Sequence, residues 1–318
     1  MIKVDVIIPV YQPTEKLEKM LLALSCQTYK PEHIFLMHTE DGYGLEAAKE
    51  ICTKIPCKEV EVSKADFDHG GTRNLGIQNS SAEIVICMTQ DAIPANALMI
   101  EKLVQSFEQD EKIAVSYARQ KAGKGCSPVE AYTRRFNYPL ESVLKDKNDL
   151  ETMGIKTYFC SNVCAAYKRN VYLELGGFEQ PVIFNEDMIY AARAIHKGYK
   201  IFYAADAVVL HSHHYSGKMQ IKRNFDLGVS QQCYPEIFSN IKSETEGVKL
   251  VKDTTGYLIK IKRPHLIIPM LWQSGCKYLG YQLGKHYEKL PNRFIMKLTM
   301  NPEFWRKRRS INGTKKKA

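Results

Sequence analysis

Four polar stretches interrupt an otherwise apolar-patterned chain, and each holds residue types able to do chemistry. "IVICMTQDAIP" ends an apolar run on Asp91. A carboxylate there can ligate a hard divalent cation that itself holds a diphosphate, because both supply the oxygen ligands such a cation prefers. The same Asp could equally cap the following turn. "LHSHHYS" sets His211, His213 and His214 just behind the apolar run "AVVL". Alternate residues of an extended chain share a face, so His211 and His213 can point together, toward a metal shared with Asp91 or merely into a loop surface. A closed zinc site would need a further Cys or His pair, which the spacing does not supply. "FNEDMIY" puts Glu186 and Asp187 at a helix start. The helix dipole favours carboxylates there, whether or not one also serves as general base toward an attacking hydroxyl. "FDHGGTRNLG" gathers Asp68, His69, Gly70, Gly71 and Arg73. Its glycines would let backbone approach a ligand closely, and its Arg near a helix N-terminus could meet phosphate. The stretch is neither a P-loop nor a dinucleotide fingerprint, since GxxxxGK[ST] and GxGxxG are both absent.

The elements around these stretches predict where they stand. "VDVIIPV", stopped near Pro9, reads as a buried strand, followed by a helix over "TEKLEKMLLALSCQ" with Thr14 as N-cap. "HIFLMHT", "KEVEVS", "EIVICM" and "IAVSYARQ" read as further strands, with helices over "GLEAAKEICTKI", "TRNLGIQNSS" and "ANALMIEKLVQSFEQD". Such alternation argues a mostly parallel α/β sheet, in which ligands sit beyond the carboxyl ends of the strands. Tyr11 with Gln12, Glu40 with Asp41, and Gln90 with Asp91 all fall at those ends. Residues 121–157 read as a long mobile segment over the site. "YFCSNVCAAYKRNVYLELGGF" reads as strand, helix and turn, and "NEDMIYAARAIHKGYKIFYAADAVVL" as a helix and a strand pair.

Composition bounds the class. With 318 residues, 44% hydrophobic and 25% charged, the chain has the make-up of an ordinary globular protein. Its start lacks a secretory pattern, no apolar run nears the ~20 residues of a spanning helix, and nine scattered cysteines without a CxxC pair suit a reducing cytoplasm. The net charge of +10 is uneven: residues 241–318 carry 18 Lys+Arg against 5 Asp+Glu. Two regions are therefore expected, 1–235 as the α/β domain and 236–318 as a basic, mainly helical extension. "KRPHLIIPMLWQSGCKYLGYQLGKHYEKL" mixes apolar residues such as Ile268, Leu271 and Trp272 with flanking Lys262 and Arg263. This suits a segment lying on an anionic membrane surface. Alternatively, those apolar residues pack on the catalytic domain or on a second copy of the chain. Nucleic acid is disfavoured as the partner, because the runs "WRKRRS" and "TKKKA" stand at the extreme end without an ordered motif.

Taken in order, these motifs resemble the inverting family 2 glycosyltransferases of the GT-A fold. The blocks "DHGGTRN" and "TQDA" are most similar to the bacterial rhamnosyltransferase branch. The likeness spans about residues 3–230 and includes the "GGF" turn, the "ED" pair and "VLHSHHYS". It implies that Asp91, with His211 or His213, ligates Mg²⁺ or Mn²⁺ on the donor diphosphate. Asp187 would be the catalytic base, with Glu186 beside it. Pro9, Tyr11, Asp41, Asp68, His69, Arg73 and Gln90 would lie around a nucleotide-sugar donor. Two departures stand out: "TQD" keeps only the last Asp of the commoner Asp-x-Asp, and "EDGYG" replaces Asp-Asp-Gly-Ser. The implied reaction moves L-rhamnose from dTDP-β-L-rhamnose onto a lipid-linked surface glycan, at the inner face of the bacterial membrane. A UDP-hexose is the alternative donor.

Overall fold

The structure, a computed structural model, describes residues 2–40, 42, 44–45, 50, 56–213, 215–239 and 243–315, leaving aside the side chains of 243–245 and 309–315. Most of the helix expected over "GLEAAKEICTKI", and both Asp41 and His214, lie outside the described residues.

The chain opens with β1 (Val4–Val10) and α1 (Glu15–Ser25). Leu17, Met20, Leu21 and Leu24 recur at helical spacing and are buried. Each such side chain contributes roughly 1.5–3 kcal/mol on leaving water. Thr14 caps this helix by accepting from Lys16 N. Next come β2 (His33–Thr39), β3 (Cys57–Val62), α2 (His69–Asn79) and β4 (Ile84–Met88). These first four strands run parallel in the spatial order β3-β2-β1-β4.

Beyond β4 the sheet becomes mixed. The chain continues through β5 (Ile93–Pro94), α3 (Met99–Ser106), β6 (Ile113–Lys121), α4 (Pro128–Asn137), β7 (Val143–Lys145), α5 (Leu150–Met153) and β8 (Cys164–Lys168). Then follow α6 (Arg169–Glu174), α7 (Glu186–His196) and β9 (Lys200–Leu210). β8 lies antiparallel between β4 and β6, whereas β9 is parallel to β6. The expected strand pair after α7 is one long strand instead. Its register against β6 shifts between Ala118 and Arg119, so that it pairs β7 with its first half and β5 with its second. Residues 121–157, read from sequence as a mobile stretch, build α4, β7 and α5. The signal was hidden because α4 buries no side chain fully and is anchored by polar contacts.

Two cores cover the faces of the sheet, one under α1 and α3, the other under α2, α6 and α7. As a result the carboxyl ends of β1, β2, β3, β4, β6 and β9 and the start of β8 share one edge.

The rest of the chain is helical: α8 (Gly217–Cys233), α9 (Pro235–Phe238), α10 (Ser243–Lys260), α11 (Ile267–Lys285), α12 (Asn292–Leu298) and α13 (Pro302–Lys315). Helices α8 and α11 touch backbone to backbone. A Cβ on Gly280 would fall 2.2 Å from Ile221 O, and one on Gly284 2.1 Å from Phe225 O. Ile183, Phe225 and Val229 pack against Tyr287, Ile295, Phe304 and Trp305, so the basic extension shares a core with the catalytic part. The apolar set of α11 divides: Met270 is buried, while Ile268, Leu271 and Trp272 are exposed. Among the described residues no helix is long and apolar enough to cross a membrane. Among the described residues seven cysteines are free, whereas Cys57 is disulfide-bonded, a departure from a fully reduced set.

Candidate active site

The turn after β4 and the residues after β9 meet at the common edge. His211 Nε2 lies 3.4 Å from Asp91 Oδ1, His213 Nε2 lies 3.6 Å from Asp91 Oδ2, and Lys16 Nζ is 3.9 Å from the same carboxylate. Burial works to raise the Asp91 carboxyl, but His211, His213 and Lys16 outweigh it and hold it well below the usual carboxylate range. Burial, with His211 alongside, pushes His213 down to about 4.

A further residue orients this group. Gln120, inside β6, faces His211 Nδ1 with its Oε1 at 3.0 Å. The same Oε1 accepts from Arg134, which can only donate, and Gln120 Nε2 donates to Ser161 Oγ at 2.9 Å. The amide oxygen therefore faces His211, and Nδ1 must carry the proton. Nε2 is thereby turned toward the Asp91 carboxylate, 3.4 Å away, where it can share a cation with that oxygen. An imidazole fixed through its other nitrogen is the usual support of a metal ligand. Asp91, His211 and His213 thus fit a divalent cation, their ligand atoms all lying within 4.8 Å of one another.

The acid pair is positioned by a strained turn. Asn185, the residue before α7, sits in the left-handed region at φ 64°, which few residues other than glycine adopt without support. Its Nδ2 donates to Ser230 Oγ at 3.2 Å. Asp187 Oδ2 accepts from Asn162 N at 2.9 Å and Oδ1 from Met188 N at 2.8 Å. Glu186 Oε1 accepts from Asn162 Nδ2 at 3.1 Å and lies 3.3 Å from Arg73 Nη1. The two carboxylates diverge in character. Although Glu186 is buried, Arg73 and His69 hold its carboxyl below the ordinary range. Burial and the neighbouring Glu186 charge push Asp187 up to about 7, despite its two backbone donors.

Two cavities adjoin. One of about 570 Å³ is lined by Glu186, Asp187, His211, His213, Arg73, Arg134, Arg223 and Lys277. The other, of about 610 Å³, is lined by Tyr11, Thr39, Lys64, Phe67, Asp68, His69 and Arg223 among others. His69, Phe184, Tyr215 and Arg223 border both. Gln90 links the first strand to the Asp91 turn, since it accepts from Tyr11 N at 3.0 Å and donates to Tyr11 O at 2.7 Å. Pro9 lies two residues before Tyr11, partly buried in β1.

The "DHGGTRN" block turns out to brace protein as well as to border the site. Asp68 caps α2 by accepting from Gly70 N and Gly71 N at 3.1 and 2.7 Å, and its other oxygen accepts from Val182 N at 2.8 Å. A Cβ on Gly70 would stand 2.1 Å from Glu179 O. Asn74 exchanges two hydrogen bonds with the Phe178 backbone, both 2.9 Å long. The glycine pair thus admits the 178–182 loop, which leads into the acid pair, where the sequence had suggested a ligand. Arg73 donates to His69 O at 2.8 Å besides pairing Glu186, and its buried Nε has no protein partner among the described residues. Sequence reasoning missed Asn162, Gln120, Arg134 and Arg223; "CSNVC" and "ARQK" carry no spacing that singles them out.

A sheet switching from parallel to mixed, with a cation-competent carboxylate at a strand end whose two neighbouring histidines share a cavity with an acid pair, has the layout of a GT-A-like glycosyltransferase. Residues 5–176, over half of the chain, match the model of glycosyl transferase family 2, and the chain belongs to that family. It is 37% identical over 306 residues to the O-antigen chain rhamnosyltransferase RfbN of Salmonella typhimurium strain LT2, covering 95% of this chain and 96% of that protein. With the O-antigen chain rhamnosyltransferase WbaN of Salmonella anatum it shares 35% identity, over 94% of each. Among solved structures, its fold is similar to the mannosyltransferase PcManGT of Pyrobaculum calidifontis in complex with GDP-Man and Mn²⁺. The TM-score is 0.62 at 15% identity, over 91% of this chain and 88% of that one.

Proposed function

We propose that this glycosyltransferase moves L-rhamnose from dTDP-β-L-rhamnose to a hydroxyl of a lipid-linked surface polysaccharide, with inversion, at the inner face of the membrane. The donor sugar rests on the identity to two O-antigen rhamnosyltransferases across nearly the whole chain. The mechanism rests on one observation above all: Asp187, pushed up to about 7, borders the same cavity as His211 and His213.

A general base works best with a pKa near the operating pH. Asp187 then takes the acceptor hydroxyl proton while that oxygen attacks the anomeric carbon, and the bond from this carbon to the dTDP oxygen breaks. Asn162 holds the carboxylate in orientation through its backbone N–H, and Glu186, committed to Arg73 and Asn162, keeps Asp187 from ionising early. A divalent cation, Mg²⁺ or Mn²⁺, held by Asp91 with His211 or His213, would neutralise charge on the departing diphosphate. Lys16 and Arg223 border the same region and supply further positive charge. Tyr11, Asp68, His69, Arg73 and Gln90 are proposed as donor contacts on their positions at or beside the two cavities.

Competing dTDP-rhamnose against UDP-glucose, UDP-galactose and UDP-N-acetylglucosamine in one assay with a membrane-extracted acceptor tests the donor. Rhamnose is expected in the product; preferential incorporation of a UDP-derived sugar sinks this choice of donor.

A further inference from the structure

By charge and sequence the C-terminal segment looks like an appendage, but it supplies a wall of the donor-side cavity. Met300, Asn301, Pro302, Glu303 and Phe304 line that cavity opposite the residues at the ends of the first strands. The wall is latched at its root by one buried carboxylate. Asp226 Oδ1 accepts from Thr299 Oγ1 at 2.7 Å, while Oδ2 accepts from Met300 N at 2.9 Å and Asn301 Nδ2 at 3.0 Å. On the far side Asn301 Oδ1 lies 3.3 Å from His69 Nε2, the first residue of α2, so the latch joins the tail to the "DHGG" block. Lys307 Nζ donates to Asp66 O at 2.8 Å and extends the seam. Phe304 and Trp305 meet edge to face, ring centres 5.4 Å apart, and both sit in the core shared with Phe225 and Val229. A segment whose first residues are held by a buried carboxylate, and whose Phe304 is anchored in a core, makes a built surface and not a loose end.

We infer that Met300–Phe304 is a substrate-binding segment, which closes over the base and ribose of the nucleoside diphosphate. The inference rests on the donor reading above and adds where the nucleotide is held. Its occupant follows from chemistry and continuity. Phe67 and Phe304 give the cavity aromatic walls suited to a planar base, and Lys64 stands over the Tyr11 ring, 5.8 Å from its centre. Toward the other cavity the lining passes to Tyr215 and Arg223. Tyr215 stacks on His213 at 4.9 Å, and His213 faces Asp91. A ligand with an apolar planar end and an anionic end therefore has one orientation, with its diphosphate toward Asp91. A volume of about 610 Å³ falls within the range of small-molecule sites.

The test uses the full chain with dTDP, read first by hydrogen exchange. Amides of 299–304 are expected to gain protection together with those of 64–68. Protection of 64–68 alone overturns the inference, and this readout needs no variant. By calorimetry, Asn301→Ala and Phe304→Leu are each expected to weaken dTDP binding about tenfold, a loss of about 1.4 kcal/mol, without a change in fold. Folded variants that bind dTDP like the parent also overturn it. A parent chain that binds neither dTDP, UDP nor GDP brings down the donor reading itself, and that result is distinct from a wall that takes no part.

Discussion

At the scale of single residues, Asp187 shows how a carboxylate at a helix start can end up with an elevated pKa. The helix dipole and two backbone donors favour its ionised form, yet burial and the adjacent Glu186 charge prevail. As a base Asp187 must be deprotonated, so kcat/KM is expected to rise with pH and level off above about 7, falling about tenfold per pH unit below that point. Asp187→Asn should lose on the order of 10²–10⁴ in kcat while dTDP affinity stays near normal. The linkage has a definite sign. A carboxyl raised above its unfolded value gives stability that is present at low pH and lost as pH climbs through about 7. The Asn variant should therefore melt above the parent at about pH 8, with the gap closing toward about pH 4. A well-folded Asn variant with normal turnover, or a flat rate profile across neutral pH, removes Asp187 from the chemistry. Asp91, His211, His213, Glu186 and Asp187 were legible because each stands shortly after a patterned strand or opens a patterned helix. Gln120 and Asn162 were not, since an amide inside a strand or beside a turn has no pattern of its own.

At the scale of elements, α11 carries two unrelated faces. Gly280 and Gly284 meet the α8 backbone, and α8 carries Arg223 to the border of both cavities. On the open side Ile268 is 78% and Trp272 68% exposed, unusual for side chains of this size, and Lys262 and Arg263 flank them. This supports the proposal of an anionic lipid surface as partner, where each nearby cation contributes about 1 kcal/mol. Ile268→Ser with Trp272→Ser should sharply reduce flotation with anionic vesicles at low salt while leaving dTDP binding unchanged. Equal flotation of parent and double variant removes this face as the anchor. The strands up to β6 were readable from β-branched runs closed by polar residues, and α1 from its apolar spacing. Residues 121–157 were not, because Arg134 bonded to Gln120 and Lys145 donating to Lys156 O at 3.0 Å are polar ties between elements and leave no periodicity in the sequence.

Across the whole molecule, charge and architecture divide the chain differently. The basic final quarter looks separable by composition, but its helices complete a core with Phe225 and Val229 and approach the donor-side cavity. Cutting the chain near residue 240 would open that core, so surface substitutions are the cleaner probe of membrane binding. Docking of the tail is a matter of shape, carried by glycine contacts and the Asp226 latch, and composition has no access to it. The central claim is that one displacement, driven by Asp187 and aimed at a donor held beside Asp91, inverts the sugar's configuration. It is tested most directly by the anomeric configuration of the product, read by NMR after the full chain has acted on dTDP-β-L-rhamnose and its acceptor. The account predicts an α-L-rhamnoside; a β-L-rhamnoside would contradict it.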